Sequence, residues 1–477
     1  KFILTIEKLQ KIFFLIKMEK VTLRDLVKAT QGKFIFGDPK QIINSTSTDS
    51  RKIKKGDIFF ALKGKNYDGH QFIKKAIEKG ATGIVVTKLD DEINSFFPNL
   101  PAIILVRDTL KALGDFAGYY RRLFSTKMIC VTGSNGKTTT KEMIFSILKS
   151  VGKTLANFGS YNNFVGVPIT LFDLSSEYEY CVLELGISLK GEMERLIEIA
   201  KPEIGVITNI GKTHLEFLKD KQQVFEEKFK LIDSLPEDGI AILNKDDPML
   251  SNAISKVKCK TVTFGLNPES DIYAKKIDLT EKGINFEICF SNKEYINLNL
   301  STIGMFNLEY ALAASAVCYS IGIKPDIIKQ SLENFKSPSM RMEKVENSLG
   351  AIIINDAYNA NPDSMRQSIL SFLRTYKDKK KILVIGDMLE LGEYSQEEHI
   401  SLGEFLKELS VDRIYFFGKE VSAIKDKVQI KNSNFFNNYI DIIAKLKTEL
   451  NEDYAVLFKG SRAVGLEKII EGLNNFK

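Results

Sequence analysis

The chain has 477 residues, enough for about three domains at roughly 150 residues each. Its hydrophobic content of 44% and charged content of 27% are those of a folded globular protein and exclude a largely disordered one. The net charge of +6 is a mild bias towards anionic partners, and without a basic stripe carrying interleaved aromatics it makes nucleic acid an unexpected partner.

Residues 1–17 are basic and apolar, but lysines and a glutamate interrupt any signal-peptide core and no small-residue cleavage site follows. They read as an extension ahead of a start at Met18, with a membrane-surface helix as the other reading. No apolar run reaches the ~18 residues of a membrane span, so stable membrane insertion is not expected. Residues 18–107 read as a small mixed domain, with a strand at 57–62, a helix at 70–79 and a strand at 83–87. The glycines of Gly80-Ala-Thr-Gly83 stop the helix.

Residues 108–337 form the second region. An amphipathic helix at 109–124 leads into the apolar run 128–131, and further apolar runs at 180–183, 204–207 and 241–243 alternate with helical patterns. Runs of that kind are strands covered on both faces, which implies a parallel sheet flanked by helices. Short alternating segments over 259–300 read as an antiparallel patch on the edge of this domain, and 311–321 as a closely packed, small-residue helix. Residues 338–477 repeat the strand–loop–helix grammar, with strands at 351–354, 381–385, 413–417 and 454–458, a Rossmann-like unit. The expected fold is therefore α/β in three domains. The five cysteines are scattered with no CxxC pair, which fits a reducing cytoplasm better than a disulfide framework or a zinc site.

The strongest chemical signal is Thr132-Gly-Ser-Asn-Gly-Lys-Thr-Thr139, set between the strand at 128–131 and a helix expected near Thr139. Gly133 and Gly136 let the backbone N–H groups of Ser134, Asn135 and their neighbours approach phosphate oxygens at a helix N-terminus. Lys137 would reach the β- and γ-phosphates, and Thr138 would hold Mg²⁺. The general P-loop pattern places its first glycine at 131, which is Val131 here; the glycine stands at 133 instead. Glu184 ends the 180–183 strand and is placed to bind the metal on ATP; without the P-loop it would read as a solvated or capping residue. His214 follows the 204–207 strand and fits a second metal site, or else an ordinary loop histidine. Lys228 lies in a lysine-rich helical stretch that by itself reads as a solvated face.

The form Thr-Gly-Ser-Asn-Gly-Lys-Thr-Thr, with its glycine at 133, resembles the P-loop of the Mur ligases and folylpolyglutamate synthases. The resemblance runs from about Met18 to the end. In the first domain it includes Thr48-Asp-Ser-Arg51 and Asp68-Gly-His70, which look like a UDP-binding region; in the second, Tyr161-Asn-Asn163 and Gly304-Met-Phe-Asn307. In the third domain Asn355 to Asp363 and Gly386 to Gly392 resemble the Mur ligase that joins D-alanyl-D-alanine to UDP-N-acetylmuramoyl-tripeptide. The tripeptide-forming Mur ligase would show an Asp-Tyr-Ala-His type sequence where this chain has Asp356-Ala-Tyr-Asn359.

What the resemblance implies is a cytoplasmic, monomeric, ATP-dependent amide ligase. Lys137 holds phosphate; Thr138 and Glu184 bind one Mg²⁺; His214 and an N-carboxylated Lys228 serve a second. A carbamate turns a cation into an oxygen donor suited to a hard metal. Asn307 and Asp356 are the adenine and ribose contacts, with Arg341 near the phosphates. Ser50 and Arg51 contact the uridine nucleotide, while Asn162, Asn163, Tyr358, Asn359, Lys459, Ser461 and Arg462 face substrate. Arg341 otherwise reads as an interface brace and Asn162–Asn163 as turn residues. Phe306 stands where the family often has histidine before the adenine-contacting asparagine. A third domain hinged near Ser337–Arg341 would close over ATP. Within the enzyme class the rivals are the tripeptide-forming ligase and a folate polyglutamylase, which leaves the first domain unexplained. Outside it stands a P-loop switch driven by slow ATP hydrolysis, which has no use for Glu184, His214 and Lys228 together.

Overall fold

The computed structural model describes residues 18–19, 21–64, 67–89 and 100–474, so the reading of residues 1–17 lies outside the described residues. The chain forms two compact units. The first takes the chain up to Cys130 together with Gly152–Gly186 and Glu194–Pro202; the second takes Val131–Val151, Ile187–Met193 and Glu203 onwards. The chain first passes between them within the strand Lys127–Thr132.

In the first unit a five-stranded sheet runs in the order Lys33–Phe36, Ala102–Leu105, Gly83–Val86, Asp57–Phe60, Ser45–Ser47. Every pair is parallel except the first. Asp57–Phe60 and Gly83–Val86 are buried along their whole length, as the apolar residues Ile58–Phe60 and Ile84–Val86 require of strands covered on both faces. The expected helix at 70–79 divides into a 3₁₀ turn, Gly69–Phe72, and an α-helix, Ile73–Glu78. Thr22 and Asp25 close a reciprocal capping box on the helix Leu23–Thr30. The helix Thr109–Arg121 starts at an Asp108 cap. Its Tyr120 is fully buried, and the hydroxyl donates to the Leu174 carbonyl at 2.9 Å and accepts from the Glu19 N–H at 2.8 Å. A buried phenol has to find such partners. Thr154–Ala156 pairs in parallel with Tyr180–Glu184.

In the second unit Ile204–Ile207, Ile240–Asn244 and Lys260–Gly265 pair in parallel. Ile272–Thr280 joins them in parallel over two residue pairs, and Gly283–Cys289 and Tyr295–Leu300 then add antiparallel. The antiparallel patch is thus confined to 272–300, because side-chain alternation marks a strand but carries no record of its direction. The Ala-rich helix Met305–Ser320 begins six residues before the expected start at 311 and is buried over most of its length. The third region's sheet runs Glu343–Val345, Ile352–Asn355, Tyr454–Lys459, Lys380–Gly386, Arg413–Phe417, Ser433–Phe436, parallel except for its first pair. Successive residues feed opposite cores: Ile354, Leu383 and Leu457 join one cluster, Ile353, Val384 and Val456 the other. Four of the five cysteines are buried and all are free thiols.

In the first unit the partly buried Asp173 has a consequence for stability. Loss of water pushes its carboxyl from the ordinary 3.8 up to about 6, with Lys54 pulling the other way. The folded protein therefore holds this proton more tightly than the unfolded chain. The group's favourable contribution is complete below pH 3.8 and is lost as pH rises through about 6. Asp173→Asn should raise the urea midpoint of the first unit at pH 8 and raise it less at pH 5. An equal or larger gain at pH 5 would contradict the assignment.

Candidate active site

The nucleotide loop is built by close packing. The helix after it begins at Lys137, two residues before the expected Thr139, and Gly136 forms its cap at φ 80°. A β-carbon on Gly136 would lie 2.1 Å from the Tyr310 ring, and one on Gly133, at φ 146°, 1.9 Å from the Thr208 hydroxyl oxygen. Both positions are closed to any other residue by backbone angle and by space. The segment after the strand Ile204–Ile207 braces the loop: the Ser134 N–H donates to the Asn209 carbonyl, the Asn135 N–H to the Asn209 side chain, both at 2.9 Å, and the Thr208 hydroxyl to the Asn135 carbonyl, so these two N–H groups are engaged within the protein and do not face phosphate as expected. The Lys137 ammonium donates to the Gly133 and Ser134 carbonyls at 2.9 and 3.1 Å, folded back over the turn. Thr132, Thr138 and Thr139 are buried.

Several residues distant in sequence meet this loop within the second unit. The Arg341 guanidinium donates to the Thr138 hydroxyl at 2.9 Å and lies 4.1 Å from the centre of the Tyr358 ring. Asn361 caps the helix Pro362–Thr375 and donates to the Asn135 side chain at 2.7 Å. Asp363 accepts the Lys212 N–H at 2.9 Å, and the Lys212 ammonium pairs with Glu398 at 2.6 Å. His214 is held at φ 55°, ahead of the short helix Leu215–Leu218. Its Nδ1 lies 2.9 Å from the Glu390 carboxylate and 3.4 Å from the Ser188 hydroxyl. The contact with His214 holds the Glu390 carboxyl below its ordinary range against the pull of burial, and the charges on His214 and Lys137 add to it.

Asp356 is held by its own region: the Lys459 ammonium at 2.7 Å, the Ser368 hydroxyl at 2.6 Å and the Met342 N–H at 3.1 Å. Lys459 also donates to the Asn359 carbonyl at 3.1 Å. Ser461 accepts the Leu389 N–H at 2.9 Å, and Arg462 pairs with Glu467 at 3.3 Å. Asn307 is buried and donates to the Ile303 carbonyl at 2.6 Å. Lys228 corrects one reading. It sits in the helix Lys221–Asp233 at 1% exposure, so this stretch is not a solvated face at that position. Val224, Glu227, Leu231 and Ile232 share the helix's buried side; the abundant lysines hid it.

In the first unit Glu184 is the last residue of its strand and is buried. Its side chain accepts from Asn162 at 2.7 Å, while Asn157 bonds its backbone N–H and carbonyl at 2.8 and 3.0 Å. Asn163 accepts the Val165 and Gly166 N–H groups, a turn arrangement. Ser50 is buried, and Arg51 forms a two-pronged pair with Asp49 at 2.9 Å on each arm, which lowers the Asp49 carboxyl to about 2. Asn157 is not singled out by the sequence; Asn361, Asp363 and Glu390 lie in the segments 355–363 and 386–392 that carry the resemblance, but the sequence assigns none of them a role of its own.

The donors available to a metal are hydroxyl, carboxylate and imidazole. Among the described residues no three His, Cys, Asp or Glu side chains converge on one point. A hard divalent ion would therefore also need oxygens from Thr138, from nucleotide, or from a modified Lys228.

Three family models match in succession: "Mur ligase family, catalytic domain" over residues 42–121, "Mur ligase middle domain" over 131–318 and "Mur ligase, glutamate ligase domain" over 340–462. The UDP-N-acetylmuramoyl-tripeptide–D-alanyl-D-alanine ligase of Bacillus subtilis is 34% identical, over 96% of this chain and 99% of its own. The Escherichia coli enzyme of the same name is 33% identical, with the same coverage. Among solved structures, a crystal structure of MurF from Acinetobacter baumannii superposes with a TM-score of 0.88 at 31% identity, over 96% of this chain and 99% of that one. The MurF ligase of Thermotoga maritima in complex with ADP gives 0.81 at 31% identity, over 90% and 96%. Matching relatives over nearly its whole length and the three family models in order, the chain belongs to the Mur ligase family.

Proposed function

We propose that the chain is an ATP-dependent amide ligase that adds D-alanyl-D-alanine to UDP-N-acetylmuramoyl-tripeptide, releasing ADP and phosphate. The observation that carries this reading is the match, end to end, to ligases that bear that name. The third-region segments 355–363 and 386–392 support it over the tripeptide-forming ligase, and the packed loop at 132–139 supplies the ATP site it needs.

The first step joins two anions. A terminal carboxylate oxygen of the tripeptide attacks the γ-phosphorus, the bond to the bridging oxygen breaks, and ADP leaves with an acyl phosphate behind. In the second, the dipeptide amine attacks the acyl carbon, the carbon–oxygen bond to phosphate breaks, and the amine loses its proton. Lys137 and Arg341 offset the charge of the transferring phosphoryl group; Lys137 must turn from its loop carbonyls to do so. The backbone N–H groups at the start of the helix Lys137–Leu148 are assigned to the phosphates, and Asn307 and Asp356 to the nucleoside. Lys459 and Asn359, joined to each other, and Ser461, Arg462 and Tyr358 shape the third region's substrate face. Ser50, Arg51, Asn162 and Asn163 are assigned to the UDP-linked substrate. Water must be kept out, since the acyl phosphate hydrolyses.

The residues present fit Mg²⁺. Thr138 and Glu184 are assigned to one ion, and His214 and Lys228 to a second, with Lys228 as its carbamate. The ions would supply charge neutralisation at the phosphate oxygens. Lys228 is buried, and reaction of its neutral amine with CO₂, with loss of a proton, gives an anionic oxygen donor. The enzyme is proposed to act as a cytoplasmic monomer. Among the described residues no helix is long and apolar enough to cross a membrane.

Purified protein should turn over ATP only with both UDP-muramyl-tripeptide and D-alanyl-D-alanine present. Turnover equally fast without the dipeptide would favour the switch reading. Lys228→Ala should lose on the order of 10²-fold in rate, as loss of a metal-site group does, and recover partly with added short-chain carboxylate. Full activity in this variant, or the same carbon-13 carbamate signal from labelled bicarbonate as in the parent, would contradict the carbamate.

A further inference from the structure

His214 and Glu390 form a pair whose geometry goes beyond the roles assigned so far. Both are non-glycine residues in the left-handed region, at φ 55° and 63°. Each such residue costs on the order of 1 kcal/mol or more and persists only where its surroundings enforce it. Here the two meet, His214 Nδ1 lying 2.9 Å from a Glu390 carboxylate oxygen.

The loop that presents Glu390 is pinned from several sides. The Asp387 carboxylate accepts the Lys419 and Val421 N–H groups at 3.0 and 2.9 Å, and the Asp387 carbonyl accepts the Ser461 N–H at 2.9 Å. The Met388 N–H donates to His399 Nε2 at 3.0 Å, and the Leu389 N–H to the Ser461 hydroxyl at 2.9 Å. The loop also seats on the segment after His214. The Glu216 N–H lies 3.5 Å from the Glu390 carbonyl, and a β-carbon on Gly392 would come within 3.0 Å of the Glu216 backbone. This much fixed backbone around one carboxylate is what a side chain needs to orient a partner rather than merely to touch it.

We propose that Glu390 is a positioning residue that fixes the His214 imidazole with its proton on Nδ1, leaving Nε2 as the ring's lone-pair atom. A carboxylate only accepts, so the ring nitrogen facing it must carry the proton. A histidine that serves as a ligand through one nitrogen is oriented in this way through the other. The Ser188 hydroxyl, 3.4 Å from the same Nδ1, lies too far away to fix the ring alone. The task performed by the oriented ring rests on the ligase reading above; the contact itself does not.

The test is imidazole nitrogen-15 NMR on the full chain at pH 8.5, where three histidines give three resolvable rings. His70 and His399 are internal controls. Each faces an acceptor through Nδ1, Asp68 at 2.6 Å and the Ser395 carbonyl at 2.7 Å, and each accepts a backbone N–H on Nε2 at 3.0 Å. All three rings should show a protonated Nδ1. Glu390→Ala should move His214 alone towards the Nε2–H form. It should also cut kcat by about 10–100-fold while leaving the KM for ATP within about twofold, and Glu390→Asp should recover part of the rate. An unprotonated His214 Nδ1 in the parent protein, an unchanged His214 signal in Glu390→Ala, or a changed signal with unchanged kcat would each overturn the proposal. The spectra need no substrate, so they stand apart from failure of the ligase reading, which shows as turnover that ignores the dipeptide.

Discussion

The turn from Thr132 to Lys137 has no room for a side chain at two points, and much of the second unit is arranged around that fact. Thr208 closes one side at Gly133 and Tyr310 the other at Gly136. A loop so compressed, with its Ser134 and Asn135 N–H groups held by Asn209, has little freedom left to lose and fixes where the following helix begins, which is the preorganisation an anion site requires. The helix it caps, Lys137–Leu148, contributes its positive end to the same spot. The parallel strands behind it set the height of Thr208 and Asn209, and the buried helix Met305–Ser320 sets the position of Tyr310.

The third region then supplies what the loop lacks. Arg341 brings a cation to Thr138, Asn361 reaches Asn135, and Asp363 and Glu398 hold the two ends of Lys212. The electrostatic logic is one of sparse, placed charge. A net charge of +6 spread over 477 residues says little, but Lys137, Arg341 and Lys459 are each fixed by named partners. Lys228, buried in a helix rich in lysine, is the one proposed to act as an anion, through its carbamate.

What could be read from the sequence was what is encoded locally. The strand–loop–helix at 128–139, the buried runs Asp57–Phe60 and Gly83–Val86, and the repeated grammar of the third region all carry their pattern within a few residues. Strand direction does not, so Lys260–Gly265 was grouped with the antiparallel strands that follow it. The helix at Lys137 started early because glycine can cap a helix at positive φ. At the site, Lys137 and His214 were visible through motif and scarcity. Glu390 was visible only as part of the segment 386–392, because its role depends on the fold laying it against His214. The buried side of Lys221–Asp233 was masked in the same way by its lysines.

The central claim is that an acyl phosphate links ATP to the amide bond, and oxygen transfer tests it most directly. The tripeptide's terminal carboxylate is labelled with oxygen-18, the full reaction is run with ATP and D-alanyl-D-alanine, and the released phosphate is analysed by mass. Attack by that carboxylate on the γ-phosphorus leaves a labelled oxygen on the phosphate once the amine has displaced it. Phosphate that carries the label in step with amide formed is the result expected here. Unlabelled phosphate, released as amide accumulates, would contradict the account.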